Sequence, residues 1–268
     1  MYPNLLSLDA PLVAVTWMFV FKKVWDVSYI ESWAVVVLAL IVWAIYASDR
    51  LLDQYLHKEH NDSPRHQFHK RYQRWFLMGI SVALICSLVL ALFFLQWSII
   101  LTAIAPALAA SGFFLMSIFS PPKQGVSHIK NLFAGFAFAW GVGAGLIGLI
   151  PQLHFLEMLF SAEMLCFGML CVINITAIDL WVKRSGDVDP DIDEWSLTLP
   201  LTILAGFAIL YMRFRSHDLS KPFYEVMLVA AGLMYVLNRI RHKFSADLLR
   251  VLADVVLLFA AFVFWTIS

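Results

Sequence analysis

The sequence feature that most limits the possible folds is a succession of apolar segments separated by short charged or Pro/Gly-rich breaks. Several segments are close to the roughly 20 residues that a helix needs to cross a bilayer. The first and eighth are shorter, which favours tilted or partly interfacial helices. The nine segments lie near residues 8–24, 32–55, 75–96, 98–119, 129–150, 156–182, 196–213, 222–239 and 247–267.

Composition agrees with this pattern. The chain of 268 residues is 61% hydrophobic and only 14% charged, which is too apolar for a soluble protein of this size. We therefore predict an all-α polytopic membrane protein with nine transmembrane helices, organised as one domain over residues 1–268. The net charge of zero argues against a nucleic-acid partner, since phosphate binding needs an excess of basic residues.

The basic residues are unevenly distributed between the two faces of the predicted bundle. The loops after the even-numbered segments hold fourteen of the nineteen Lys and Arg residues. By the positive-inside rule these loops are predicted to be cytoplasmic, with the N-terminus inside and the C-terminus outside. Asp49, Asp53, Asp179 and Asp187 fall on the same side. One face therefore carries most of the residues capable of chemistry.

Two aspartates end the second apolar segment. If the segment continues as a helix, Asp49 and Asp53 are about 40° apart around its axis and form one acidic face. A carboxylate entering the hydrocarbon costs roughly 2.5–3.5 kcal/mol, so the pair needs a partner. A divalent cation is one such partner. The alternative is two solvated acids where the helix emerges into the headgroups.

A basic, histidine-rich stretch follows the acidic pair and includes Arg65, His66 and Lys70. An acidic pair that holds Mg²⁺ beside such a stretch is what a diphosphate requires, because the metal bridges its oxygens and the cations neutralise the remaining charge. The pattern therefore predicts a diphosphate ligand. Two alternatives remain: contact of this loop with anionic lipid, and a zinc site built from its histidines, although no thiolate accompanies them.

Polar residues also occur inside later apolar segments. Lys130 should lie about one turn inside the apolar zone, where it must snorkel to the interface or bind an anion. Asn174 and Asp179 lie in or just inside the membrane near the end of the sixth segment. A buried amide and a buried carboxylate at such a position are candidates for a functional role.

Alternating acids follow the sixth segment. The run from Asp187 to Asp193 is interrupted by Pro190 and cannot form one helical face, so we predict a loop. Solvation explains most of these acids, and Asp187 is the expected exception.

Several of these motifs resemble those of the UbiA superfamily of intramembrane prenyltransferases. The resemblance covers most of the chain. The matching stretches are Leu8-Asp9-Ala10-Pro11, Asp49-Arg50-Leu51-Leu52-Asp53, residues 131–141, residues 174–187 and Thr198-Leu199-Pro200. Two positions depart from the pattern: Ile45-Tyr46 replaces the Asn-Asp that opens the family's first motif, and Lys183-Arg184 stand near its usual acids in the second.

The resemblance implies a fold, a reaction and roles for individual residues. It implies a bundle of nine transmembrane helices whose two Asp-rich motifs bind Mg²⁺ together with an isoprenyl diphosphate. Asp49, Asp53 and Asp179 are the predicted catalytic residues. The predicted metal ligands are Asp49 and Asp53 for one Mg²⁺, and Asp179 and Asp187 for a second. The predicted substrate-binding residues are Tyr46, Arg65, His66, Lys70, Lys130, Asn131, Asn174 and Lys183.

The predicted reaction is transfer of an isoprenyl group to a small hydrophobic or aromatic acceptor, or to a membrane lipid, through an allylic carbocation. The predicted location is a bacterial inner membrane, with the site on the cytoplasmic side. One alternative is a terpene cyclase that uses the same ionisation. Others are a membrane transporter, against which the acids gathered at one face argue, and an inactive lipid-binding relative.

Overall fold

A computed structural model describes residues 7–56, 71–119, 128–150, 155–183, 190–214 and 220–268. Within these ranges the side chains of residues 53, 54, 56, 182, 183 and 190–195 are not described. The described residues form helices and no strands. The helices are α1 Asp9–Val24, α2 Ser32–Leu56, α3 Gln73–Phe94, α4 Trp97–Thr102, α5 Ile104–Phe119, α6 His128–Ile147, α7 Phe155–Leu159, α8 Ala162–Lys183, α9 Pro190–Phe214, α10 Lys221–Ile240 and α11 Ala246–Ile267, with a 3-10 turn at Arg241–Lys243.

Eight helical segments in the described part of the chain are long and apolar enough to cross a membrane. They are Ser32–Leu52, Gln73–Phe94, Trp97–Phe119, His128–Ile147, Ala162–Trp181, Ser196–Phe214, Lys221–Lys243 and Ala246–Ile267. The prediction of a polytopic helical membrane protein is confirmed at this level. The remaining predicted span, the first in the chain, corresponds to α1, whose 16 residues extend only about 24 Å.

Helix α1 lies at the centre of the bundle. The side chains of Trp17, Val20 and Phe21 have no exposed surface. Trp17 stacks on Phe167 of α8 with 4.4 Å between ring centroids, and its indole N–H donates to the carbonyl of Leu257 on α11, 3.2 Å away. An indole N–H in an apolar core needs such an acceptor. These contacts fix the position of α1 along its axis relative to α8 and α11.

Helices α6 and α8 are antiparallel and very close. Gly135 of α6 faces Val172 of α8, and Gly143 faces Met164. A Cβ added at Gly135 would lie 2.5 Å from a Val172 methyl and 2.7 Å from the Val172 backbone nitrogen. Small residues allow membrane helices to approach in this way, because packing rather than the hydrophobic effect drives their association.

The fourth predicted span is broken into two helices. Helix α4 ends at Thr102 and α5 begins at Ile104, two residues before Pro106. Proline has no N–H to donate to the carbonyl four residues earlier, and its ring crowds that carbonyl. The Thr102 hydroxyl lies 2.8 Å from the carbonyls of Ile99 and Ala144, which ties the break to α6.

Helix α9 begins earlier than the sequence pattern indicates. It starts at Pro190, so the prediction of a loop was wrong for residues 190–193. Proline is well suited to the first helical position, since its missing N–H would have no intrahelical partner there. Asp187 lies outside the described residues.

The glycine at the α6–α8 contact provides a test of the packing. We expect Gly135→Ala to destabilise the protein by about 1–3 kcal/mol, because its methyl group would overlap the Val172 backbone. Gly206→Ala is the matched control, since nothing lies within 4 Å of a Cβ at that position. Thermal unfolding in detergent, followed by size-exclusion chromatography, measures both. Equal stability of the two variants would contradict the described contact.

Candidate functional site

The acidic pair lies on a continuous helix, as the sequence predicts. Helix α2 runs through both Asp49 and Asp53 and ends at Leu56. Asp49 is partly exposed and one of its carboxylate oxygens, Oδ1, is buried. The side chain of Asp53 is outside the described residues. We call the end of the bundle that carries Asp49 and Asp179 the aspartate end.

Tyr46 connects α2 to the centre of the bundle, one turn before Asp49. Its ring lies 6.3 Å from the ring of Phe138 on α6, in an edge-to-face arrangement. It is also within electrostatic range of Cys171 on α8. The face of α2 that carries Tyr46 therefore points towards both α6 and α8.

Asn131 joins α6 to the second acidic motif. Its side-chain nitrogen, Nδ2, donates to Oδ2 of Asp179 at 3.1 Å and to the hydroxyl oxygen of Thr176 at 3.2 Å. Asn131 is only 1% exposed. An amide NH₂ has two hydrogens, so both bonds can be made together. Asn131, predicted to contact substrate, here holds one carboxylate oxygen of Asp179 in place.

Two contacts show that α2 is antiparallel to α6. Tyr46 faces Phe138 near one end, and Ala34 lies close to Gly145 near the other. Because α8 is antiparallel to α6 as well, α2 and α8 run in the same direction. Their C-terminal ends, which carry the first and second acidic motifs, therefore lie at the same end of the bundle.

The same contacts set the depth of Asp53. It lies seven residues beyond Tyr46 along α2, and Asn131 lies seven residues before Phe138 along α6. Each step of seven residues is about 10 Å, and the two helices run in opposite directions. From the Tyr46–Phe138 contact, the Asp53 backbone is level with Asn131; from the Ala34–Gly145 contact, Ser48 is, because Ser48 and Asn131 are each fourteen residues from that contact. The part of α2 that carries Asp49 and Asp53 therefore lies near the level where Asn131 meets Asp179. Seven residues are also close to two full turns, so positions 46 and 53 share a helix face.

An ion pair ties α2 to α1, and an acid on α11 acts on the same arginine electrostatically. A guanidinium nitrogen of Arg50 lies 3.8 Å from Oδ2 of Asp9, and the two side chains are only 11% and 14% exposed. Asp254 of α11 is within electrostatic range of both Arg50 and Tyr46. Buried charges need partners because desolvation penalises them. Arg50 thus anchors the turn of α2 that presents Asp49.

Sequence reasoning missed the importance of this network. It treated Arg50 as one of many basic residues near the membrane face, and Asp9 only as part of a short motif. It did not consider Asp254, although an acid inside an apolar segment is a recognisable signal. A second missed link joins α8 to α10: the Trp181 indole and the Arg241 guanidinium both donate to Oδ1 of Asn238, at 3.0 and 2.6 Å.

Of the remaining predicted site residues, two have described surroundings and the side chains of the others lie outside the described part of the chain. Asn174 is 4% exposed, and its Nδ2 has no hydrogen-bond acceptor among the described residues. The Lys130 ammonium lies 4.8 Å from the centre of the Phe113 ring on α5, within the range of a cation–π interaction. Arg65, His66, Lys70 and Asp187 lie outside the described residues, as does the side chain of Lys183.

The comparisons with known proteins give no relative for this chain. No family model, no curated protein and no solved structure matches it. The resemblance to the UbiA superfamily therefore remains a hypothesis based on the sequence motifs. The fold and the grouping of residues described above are independent of it.

The Arg50 network predicts unequal effects of removing its members. Arg50→Met leaves both Asp9 and Asp254 without this cation, and we expect a loss of about 3–5 kcal/mol in stability. Asp9→Asn should cost less, because Arg50 retains Asp254 nearby. Thermal unfolding of both variants and of the double variant measures the coupling. Equal losses in the two single variants would contradict the network.

The Asn131 hydrogen bonds predict a further effect. Asn131→Leu removes the donor for Asp179 and Thr176, so we expect a loss of about 1–3 kcal/mol in stability. Asn131→Asp should be worse, because it would bring a second carboxylate against Asp179. Denaturation of purified protein in mixed micelles provides the measurement. Wild-type stability of Asn131→Asp would show that the amide does not contact this carboxylate.

Proposed function

We propose that this protein is an Mg²⁺-dependent intramembrane prenyltransferase. It would transfer an isoprenyl group from an isoprenyl diphosphate to a small hydrophobic or aromatic acceptor, or to a membrane lipid. The observation that supports this most strongly is the shared level of the two acidic motifs. The part of α2 that carries Asp49 and Asp53 lies near the level of the hydrogen-bonded pair of Asn131 and Asp179, as a site shared by the two motifs requires.

The donor set suits a hard divalent cation. The proposed ligands Asp49, Asp53, Asp179 and Asp187 are all carboxylates, and oxygen is the ligand atom that Mg²⁺ prefers. Asn131 occupies Oδ2 of Asp179 and leaves Oδ1 for another partner. Among the described residues no three His, Cys, Asp or Glu side chains converge. That statement does not cover Asp53 and Asp187, whose side chains the structure does not describe.

The chain's own residues have distinct tasks in this proposal. Asp49 and Asp53 would hold the donor's diphosphate through the metal, while Asn131 keeps Asp179 oriented. When bound, Mg²⁺ stabilises the negative charge that develops on the departing diphosphate. Arg65 and Lys70 would neutralise the remaining charge, as would Lys130 on rotation of its flexible side chain.

The aromatic rings between the acidic motifs and the core suit the isoprenyl group and the carbocation formed from it. The rings of Tyr46 and Phe138 meet edge to face at the inner side of the site. Aromatic faces attract cations, so these rings could stabilise an allylic carbocation. The apolar bundle behind them would exclude water until the acceptor captures that cation. Asn174 would offer its amide to the acceptor's oxygen.

Topology and location are part of the same proposal. We infer that α1 is a ninth crossing helix, since Trp17 and Phe21 place it in the core beside helices that span the bilayer. We also infer that the aspartate end faces the cytoplasm of a bacterium, from the distribution of basic residues.

The central test measures diphosphate release. Detergent-purified protein is incubated with Mg²⁺ and isoprenyl diphosphates of graded length, and both released diphosphate and extracted products are analysed. We expect Mg²⁺-dependent release that Asp49→Ala and Asp53→Ala each abolish while folding is retained. The acids are proposed to position the metal on which ionisation depends.

Glu225→Ala is a matched control, because Glu225 is an exposed acid paired with Lys221 at the start of α10. It should retain full activity. Undiminished release from both aspartate variants would refute the proposed function. A cyclic product formed without acceptor would instead favour the terpene cyclase.

A further inference from the structure

A separate cavity of about 300 Å³ lies between α6, α8 and α9, close to the aspartate end. Most of its wall is apolar and includes Leu132, Met169, Ile173 and Leu197. Its size is at the lower end of the range of about 300–1,000 Å³ found for ligand pockets. Among the side chains that the structure describes, no predicted metal ligand or catalytic aspartate lines it.

The sequence of α9 explains why a cavity occurs here. Pro200 lies inside this helix and lines the cavity together with Ser196, which is four residues earlier. Proline has no N–H, so Pro200 cannot donate to the carbonyl of Ser196 and α9 lacks one backbone hydrogen bond at this turn. On the other side, Gly135 holds α6 tightly against α8. The space is therefore bounded by the proline-containing turn of α9 and by two closely packed helices.

The polar groups of the cavity are few, and one of them marks its outer end. His128 is the first residue of α6 and is exposed. The N-terminus of a helix presents backbone N–H groups and the positive end of the helix dipole, and both favour an anion. The sequence also predicts that most of the basic residues lie on this side of the membrane. The outer end of the cavity thus favours negative charge, while its apolar wall favours hydrocarbon.

We propose that this cavity binds a hydrocarbon chain of an anionic membrane phospholipid, whose phosphate lies at His128 and the start of α6. The cavity lies between segments long and apolar enough to span the membrane, where lipid is the surrounding solvent. Its combination of apolar wall and anion-attracting end matches the two parts of such a lipid. This site does not depend on the proposed prenyl transfer.

The lipid would also lie against the polar contact between α6 and α8. Thr176 lines the cavity and accepts a hydrogen bond from Asn131, which donates to Asp179 as well. A bound chain would therefore pack against the residues that orient Asp179, and its loss would loosen them.

Photo-crosslinking tests this site directly. The full-length protein is placed in nanodiscs that contain phosphatidylglycerol with a diazirine in its acyl chain, and labelled peptides are identified by mass spectrometry. We expect preferential labelling of the α8 peptide that contains Met169 and Ile173. Met169→Trp, which fills the cavity, should reduce this labelling about tenfold, equivalent to ~1.4 kcal/mol of binding free energy.

Leu199→Trp is the matched control. It adds the same bulky ring to α9 at a residue that is 58% exposed and does not line the cavity. Labelling of the α8 peptide should be unchanged in this variant. Equal labelling in Met169→Trp and in the control would overturn the proposal. Thermal unfolding of both variants confirms that folding is retained.

A second variant tests the headgroup without disturbing the core. His128→Ala changes an exposed residue and should reduce the preference for phosphatidylglycerol over the matching phosphatidylcholine probe. An unchanged preference would contradict a phosphate at this position. Competition distinguishes the source of the ligand: unlabelled phosphatidylglycerol should suppress labelling, whereas suppression by an isoprenyl diphosphate alone would overturn the assignment to phospholipid.

Discussion

The poor solvation of charge inside a membrane is the constraint on which the rest of this structure depends. A carboxylate or guanidinium that enters the hydrocarbon must find a partner there. Arg50 meets this requirement through its ion pair with Asp9, which connects α1 to α2, and through the electrostatic attraction of Asp254 on α11. The same requirement explains the position of Asp179, which accepts a hydrogen bond from Asn131 on a neighbouring helix. Both interactions lie at the aspartate end, where the candidate chemistry is gathered.

Close helix packing gives these interactions their geometry. Gly135 brings α6 against the backbone of α8 at Val172, one turn before Thr176. Asn131 lies one turn from Gly135 on α6, so its short side chain can reach both Thr176 and Asp179. A larger residue at position 135 would separate the helices and lengthen these bonds. Helix packing in the core and orientation of the acidic site are therefore parts of one arrangement.

Sequence reasoning predicted the general architecture because hydropathy and helix length report directly on membrane spans. It also predicted that α2 continues through Asp49 and Asp53, which the helix confirms. It did not predict the break at Ala103 or the start of α9 at Pro190, since the effect of a proline depends on its position within the helix. It identified Asn131 as a candidate substrate-binding residue but did not predict its hydrogen bond to Asp179.

The sequence by itself determined that this chain is a helical membrane protein with its acids concentrated near one face, because apolar length and charge position are properties of the linear chain. Only the tertiary structure decided which helices meet: that the acidic end of α2 lies near the level of Asn131 and Asp179, that Arg50 turns towards Asp9, and that a cavity opens beside Pro200. These features join residues that are far apart in the sequence: Asp49 and Asp179 are 130 positions apart, and Asp9 and Arg50 are 41 apart. Such pairings are set by helix packing, for which the local sequence pattern carries no direct signal.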